Sequence, residues 1–162
     1  MRVVGLDLAG KSANPSGFCL LTDEGSETKL LHSDEEIIAE IAKARPECIA
    51  IDAPFWLSDV NYNIKPWRRS DELLMRRGFQ PISCMLPSMQ ALAMRARELV
   101  IFLRSKNLLV IEVFPKAAER ALGLSKELRK NQDEYDALLC ALTAKHFLDG
   151  NYEDLEGVIV PK

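Results

Sequence analysis

The stretch Val3-Val4-Gly5-Leu6-Asp7-Leu8-Ala9-Gly10 decides how the chain is read. It is a short apolar run, interrupted by one glycine, that carries a single carboxylate where it opens into the turn Ala9-Gly10-Lys11-Ser12. Apolar runs of this length bounded by turn residues read as buried strands, so residues 3–8 are a first strand with Asp7 at its outgoing end. Working outward, residues 17–22 and 28–31 are two more brief runs separated by Asp23-Glu24-Gly25-Ser26, a hairpin pattern that lays three antiparallel neighbours side by side. Ser33 followed by Asp34, Glu35 and Glu36 opens a helix with Ile37, Ile38, Ile41 and Ala44 on its buried face, and Pro46 stops it. A second strand ending on an acid, residues 48–52, comes next. A helix crossing between strands is the mark of α/β layer packing rather than a helical bundle.

Residues 53–85 break the pattern. Pro54, Pro66, Gly78 and Pro81 punctuate a segment with Trp56, Trp67 and five basic residues, and only residues 70–77 look helical. This segment is expected as an inserted basic and aromatic loop over one edge of the sheet. Residues 88–104 then form a clear helix, with Leu92, Ala96, Leu99 and Leu103 at helical spacing. Residues 108–114 are a strand ended by Pro115, residues 117–122 a short helix closed by Gly123, and residues 133–148 a long last helix packing through Ala137, Leu138, Ala141, Leu142 and Ala144. The run Val158-Ile159-Val160 is too short to assign.

The 162 residues are 48% hydrophobic and 28% charged, enough for one domain over 1–162 and too few for two ordinary ones. With 21 Lys and Arg against 24 Asp and Glu, the formal charge of −3 provides no chain-wide positive field for nucleic acid, so only a local basic patch could bind it. Cys19, Cys48, Cys84 and Cys140 are too scattered for a zinc site with only His32 and His146 beside them, which points to a reduced, cytoplasmic protein. No stretch approaches the ~20 apolar residues of a membrane span, and no export signal is evident.

Acids inside apolar elements carry the chemistry. Asp7, Asp52 and Glu112 each sit in or at the end of a strand, where an unpaired carboxylate costs several kcal/mol. Asp133 and Asp136, three apart on the last helix, share one face. If Asp7 and Asp52 lie on neighbouring parallel strands, they meet where open α/β sheets place their ligands. Such a group of acids calls for a hard divalent cation, Mg2+ or Mn2+, and metal-assisted phosphodiester hydrolysis fits the residue set better than covalent catalysis. Plainer readings stand beside this one: turn formation for Asp7, strand termination for Asp52, an ion pair to Arg69 or Arg95 for Glu112, and helix initiation for Asp133 or Asp136.

Lys65, Arg68, Arg69, Arg76 and Arg77, offset by Asp71 and Glu72, make the one electropositive stretch. Its guanidinium forks suit phosphate oxygens, and Trp56 and Trp67 could stack on a base or sugar. Lys65, Trp67, Arg68, Arg69 and Arg76 are the candidate substrate-binding residues; the structural alternatives are Trp67 covering the core and an internal Arg68–Asp71 pair. Residues 9–12 lack the full P-loop pattern, which argues against a nucleoside triphosphatase.

The segments Gly-Leu-Asp-Leu-Ala-Gly, Ile-Asp-Ala-Pro, Arg68 to Asp71 with Arg77-Gly78, Glu-Val-Phe-Pro, and Asp133-Glu-Tyr-Asp-Ala-Leu-Leu-Cys-Ala resemble the DUF429 family over nearly the whole chain. That resemblance implies a ribonuclease H-like fold, three layers with a central mixed sheet flanked by helices, and a nuclease activity. It implies metal ligands at Asp7, Asp52 and Asp136, with Asp133 nearby, as in Holliday-junction resolvases of the same superfamily, which use two aspartates three apart on the last helix. Glu112 departs from the most familiar ribonuclease H pattern. The expected activity is a metal-dependent nuclease or phosphodiesterase in which Asp7, Asp52, Glu112, Asp133 and Asp136 form the catalytic set. Two alternatives are a nucleic-acid or nucleotide binding module without turnover, and phosphoryl transfer on a small molecule, for which a homodimer would supply the missing second lobe.

Overall fold

The computed structural model describes residues 1–58, 63–124 and 131–162. In chain order its elements are β1 (Arg2–Asp7), β2 (Ser16–Thr22), β3 (Gly25–Leu31), α1 (Asp34–Ala44), β4 (Cys48–Asp52), α2 (Arg69–Arg76), α3 (Pro87–Ser105), β5 (Val110–Val113), α4 (Pro115–Ala121), α5 (Gln132–Leu148), β6 (Tyr152–Leu155) and β7 (Val158–Pro161). One mixed sheet holds all seven strands in the order β3-β2-β1-β4-β5-β7-β6.

The local signals read from the sequence place most of these elements. β1, β2 and β3 form the expected antiparallel meander. Ser33 caps α1 in a reciprocal box with Glu36, and Arg45 ends it in the left-handed conformation. The crossover through α1 sets β4 parallel to β1, and α3 carries the chain to β5, parallel to β4. Two stretches take more structure than the sequence assigns them. The chain after α5 forms a hairpin, β6 and β7, whose second strand runs parallel to β5 and extends the sheet. Its turn uses Glu156 and Gly157, both with positive φ, in place of the Asn-Gly or Asp-Gly that would announce it. The segment 53–85 is also more than an edge loop: α2 packs beside edge strand β6, while the residues around it cover the carboxyl ends of β1, β4 and β5.

Strand parity sorts the core into two layers. Val4, Leu6, Phe18, Ile49 and Ile51 face α1 and α3, meeting Ile37, Ile41, Ala96 and Leu99. Val3, Cys19, Cys48 and Ala50 face α5, meeting Ala137, Cys140, Ala141 and Ala144. The first face is built of large side chains and the second of small ones, so α5 lies closer to the sheet. Gly5 and Gly17 take this to the limit: a Cβ on Gly5 would stand 2.0 Å from the Ala137 carbonyl oxygen, and one on Gly17 would stand 1.9 Å from that of Asp133. These are backbone contacts, which no rotamer change can relieve.

Gly5→Ala is therefore expected to destabilise the fold by at least ~1–3 kcal/mol, the usual range for overpacking. Gly10→Ala, where the nearest atoms are 3.6 Å away, is expected to change stability by less than ~0.5 kcal/mol. Urea unfolding midpoints of the two variants check the contrast.

Candidate active site

Asp7 and Asp52 are direct cross-strand partners on the adjacent parallel strands β1 and β4. Asp7 shares parity with Val3 and Gly5, and Asp52 with Cys48 and Ala50, so both carboxylates leave the sheet on the α5 side. Gly17 is the β2 partner of Asp7, and its missing side chain admits the backbone of Asp133. That contact seats the first turns of α5 directly over the ends of β1 and β2. Asn131 caps the helix by accepting from the Glu134 N–H, and Thr28 of β3 donates to Glu134. Asp136, one turn into α5, then lines the same cavity as Asp7 and Asp52, a space of about 210 Å³ at the carboxyl ends of the parallel strands. The loop leaving Asp7 is pinned on both sides: Ala9 N–H donates to Ser16 Oγ, and the Ala9 carbonyl accepts from Arg95.

Bringing these acids together has an electrostatic cost. Burial, reinforced by the charges of Asp136 and Asp133, pushes the Asp7 carboxyl up from 3.8 to about 7. Burial raises Asp52 well above the ordinary carboxylate range, with Asp7, Asp136 and Glu112 adding to it and Lys116 opposing it. Cys140 on α5 packs beneath the group; burial and the same three aspartates hold its thiol far above its ordinary value, which leaves it a neutral packing group rather than a nucleophile.

Glu112 belongs to a different arrangement. It pairs in register with Ile51, not Ala50 or Asp52, and so leaves the sheet on the opposite face from the two aspartates. Both of its oxygens are occupied: Arg68 Nη1 donates to Oε1 at 2.7 Å and the Phe55 N–H to Oε2 at 2.9 Å. Arg68 also binds Asp71 through Nε and Nη2. Burial works against the Arg68 charge, but Glu112 and Asp71 outweigh it and raise its pKa. The ion-pair partner of Glu112 is thus Arg68, not Arg69 or Arg95; Arg95 binds Asp34, Ala9 and His32 instead.

The remaining expected residues separate. Asp133 acts on Asp7 through its charge but does not line the cavity, whereas Asp136 does. Lys65, Trp67 and Arg69 line a neighbouring groove of about 570 Å³ together with Trp56 and Arg104. Arg68 and Glu112 line both spaces and form the wall between them. Arg69 is paired with Glu72 and Glu156, and Arg76 lies exposed outside both. Two residues the sequence reading did not select stand in the acid cavity, Asp71 and Lys116. Asp71 was visible only as an offset to the basic run, and Lys116 carried no signal beyond its place just after Glu-Val-Phe-Pro.

Among the described residues, no three or more His, Cys, Asp or Glu side chains are set as a ready-made metal cage. The donor set nonetheless fits Mg2+ or Mn2+. Magnesium needs one or two carboxylates and keeps several waters, and Asp7, Asp52 and Asp136 are hard oxygen donors lining one cavity, where burial first and the neighbouring acids second raise the pKa values of Asp7 and Asp52. Asp7, Asp52 and Asp136 are the residues that would hold it.

A carboxyl whose pKa is raised by folding contributes stability below its unfolded value and loses it as pH rises through the folded one. For Asp7 that window runs from 3.8 to about 7. Asp7→Asn is therefore expected to melt at the same temperature as wild type near pH 4 and several degrees higher at pH 8, and Mn2+ should raise the wild-type melting temperature at pH 8 more than that of the variant. Thermal melts across pH with and without Mn2+ measure both. Arg68→Ala leaves Glu112 and Asp71 buried without their cation and is expected to cost ~3–5 kcal/mol by urea unfolding.

No family model and no curated protein matches the chain. Solved structures do. Thermus thermophilus RuvC in complex with a Holliday junction substrate is similar with a TM-score of 0.54 and 16% identity, covering 100% of this chain and 99% of that one. Another Thermus thermophilus RuvC structure gives a TM-score of 0.52 and 17% identity, covering 100% of both chains. At these identities the likeness is one of architecture, and the fold of this chain is the ribonuclease H-like fold of RuvC.

Proposed function

We propose that this protein is a divalent-metal-dependent nuclease that hydrolyses phosphodiester bonds in nucleic acid, a ribonuclease H-like domain of the DUF429 kind working in the cytoplasm. The observation that carries this reading is the convergence of Asp7, Asp52 and Asp136 on one cavity at the carboxyl ends of parallel strands. Mg2+ or Mn2+ held there would polarise a phosphoryl oxygen and lower the pKa of a bound water. Asp7, Asp52 and Asp136 are the ligands in this reading, and Asp133 biases Asp7 through its charge. Because burial and the neighbouring acids raise the pKa of both Asp7 and Asp52, ion binding there would displace protons and strengthen as pH rises.

Glu112, both oxygens being bonded, serves by holding Arg68 and the covering segment in place rather than by binding the ion. The groove with Trp56, Lys65, Trp67 and Arg69 adjoins the acid cavity across the Arg68–Glu112 wall, so a polymer held at the acids would find aromatic and basic contacts where it continues beyond that wall. The RuvC neighbour is bound to a Holliday junction; branched DNA is accordingly one substrate to try beside linear DNA and RNA.

Incubation with linear DNA, RNA and a four-way junction in Mn2+ tests the proposal. Wild type should cleave at least one of them, with Asp7→Asn and Asp136→Asn reduced to background. Absence of cleavage by wild type on every substrate, with nucleic-acid binding unaffected by Asp7→Asn, would instead identify a binding module.

A further inference from the structure

The basic residues that the sequence offers for phosphate binding are largely committed elsewhere. Arg68 is spent on Asp71 and Glu112, Arg69 on Glu72 and Glu156, and Arg77 on Glu153. The cations lining the acid cavity are Arg68 and Lys116. Among the described residues Lys116 has no carboxylate within ion-pair distance, its side chain is exposed, and its charge reaches Asp52 strongly enough to oppose the rise in that group's pKa.

Lys116 also stands between two spaces. It lines the acid cavity and, again beside Asp136, an open groove of about 900 Å³ that runs past Phe79, Gln80 and Arg120. Arg120 in that groove is fixed, stacked over Phe79 at 3.9 Å and donating to the Arg77 carbonyl at 2.7 Å. A strand passing from the groove to the acids would therefore move between an aspartate meant for the ion and a lysine that, among the described residues, has no ion-pair partner. An exposed ammonium beside an acid cluster at such a junction suits contact with a phosphate oxygen.

We infer that Lys116 is the phosphate-binding residue of this site, holding a non-bridging oxygen of the phosphodiester that Asp136 faces, with the strand entering along the Phe79–Arg120 groove. This rests on the nuclease reading above and adds a substrate contact to it. The lysine acts as a mobile point charge: it offsets the carboxylates when substrate is absent and turns to the phosphate when it arrives.

The test compares wild type with Lys116→Gln, Lys116→Arg and, as a surface-charge control, Lys106→Gln. The probes are a labelled four-way DNA junction, labelled single-stranded DNA, and Mn2+ alone. Lys116→Gln should lower kcat/KM for any cleaved substrate at least about tenfold and reduce the slope of log affinity against log salt by about one unit. Lys116→Arg should recover most of both. With Mn2+ alone and no nucleic acid, Lys116→Gln should bind the ion a few-fold more tightly, because a repelling charge is gone, while Lys106→Gln should not. If wild type cleaves DNA and Lys116→Gln matches it in cleavage, salt slope and Mn2+ affinity, the role of Lys116 is overturned and the nuclease reading stands. If wild type binds neither DNA nor Mn2+, both fall.

Discussion

The backbone of α5 rests on the backbone of β1 and β2 at Gly5 and Gly17, with no room for even a methyl group between them. The rest of the molecule is arranged around that approach. It requires a sheet face of small residues, Cys19, Cys48 and Ala50, opposite a helix face of Ala137, Cys140, Ala141 and Ala144. It also fixes the height and rotation of the helix, because backbone contacts cannot slide as side chains can. Asp136 reaches the outlets of β1 and β4 for this reason, and a looser helix would carry it away from Asp7 and Asp52.

The opposite face of the sheet solves a different problem. Large apolar side chains from β1, β2 and β4 pack there against α1 and α3. Glu112, which leaves the sheet on that side, is fully engaged with Arg68 and the Phe55 N–H. Negative charge is thus treated in two ways around one cavity. On one side of the sheet Glu112 meets an arginine, shared with Asp71, that opposes the rise burial imposes on its pKa; on the other, Asp7 and Asp52 face further carboxylates that add to that rise. A structural ion pair and a site for an external cation differ in just this respect.

How much of this could be read from the residues follows from the range of the interactions involved. The capping box at Ser33, the hairpin through β2 and β3, and the strands ending on Asp7 and Asp52 depend on neighbours a few positions apart, and they are legible. β6 was not, because Glu153 and Asp154 put two charges in the middle of a four-residue edge strand, and because Glu156-Gly157 is an uncommon turn pair. The face to which Glu112 belongs was equally hidden. Its register against Ile51 is set by the long crossover through α3, and a shift of one residue would have sent it toward the aspartates. Lys116 carried no local signature at all; its importance comes from what surrounds it in space.

Order and periodicity along the chain were enough to determine an α/β sheet with acids at strand outlets, a carboxylate-bearing last helix and a basic, aromatic covering segment. Hydrophobic alternation and turn chemistry act locally and are written in adjacent residues. The tertiary structure alone decided which acids meet, which arginines are consumed by internal pairs and which lysine is left facing the cavity. Those outcomes turn on strand register and on how closely one helix can approach a sheet, and both are settled between residues more than a hundred positions apart, as Gly17 and Asp133 are.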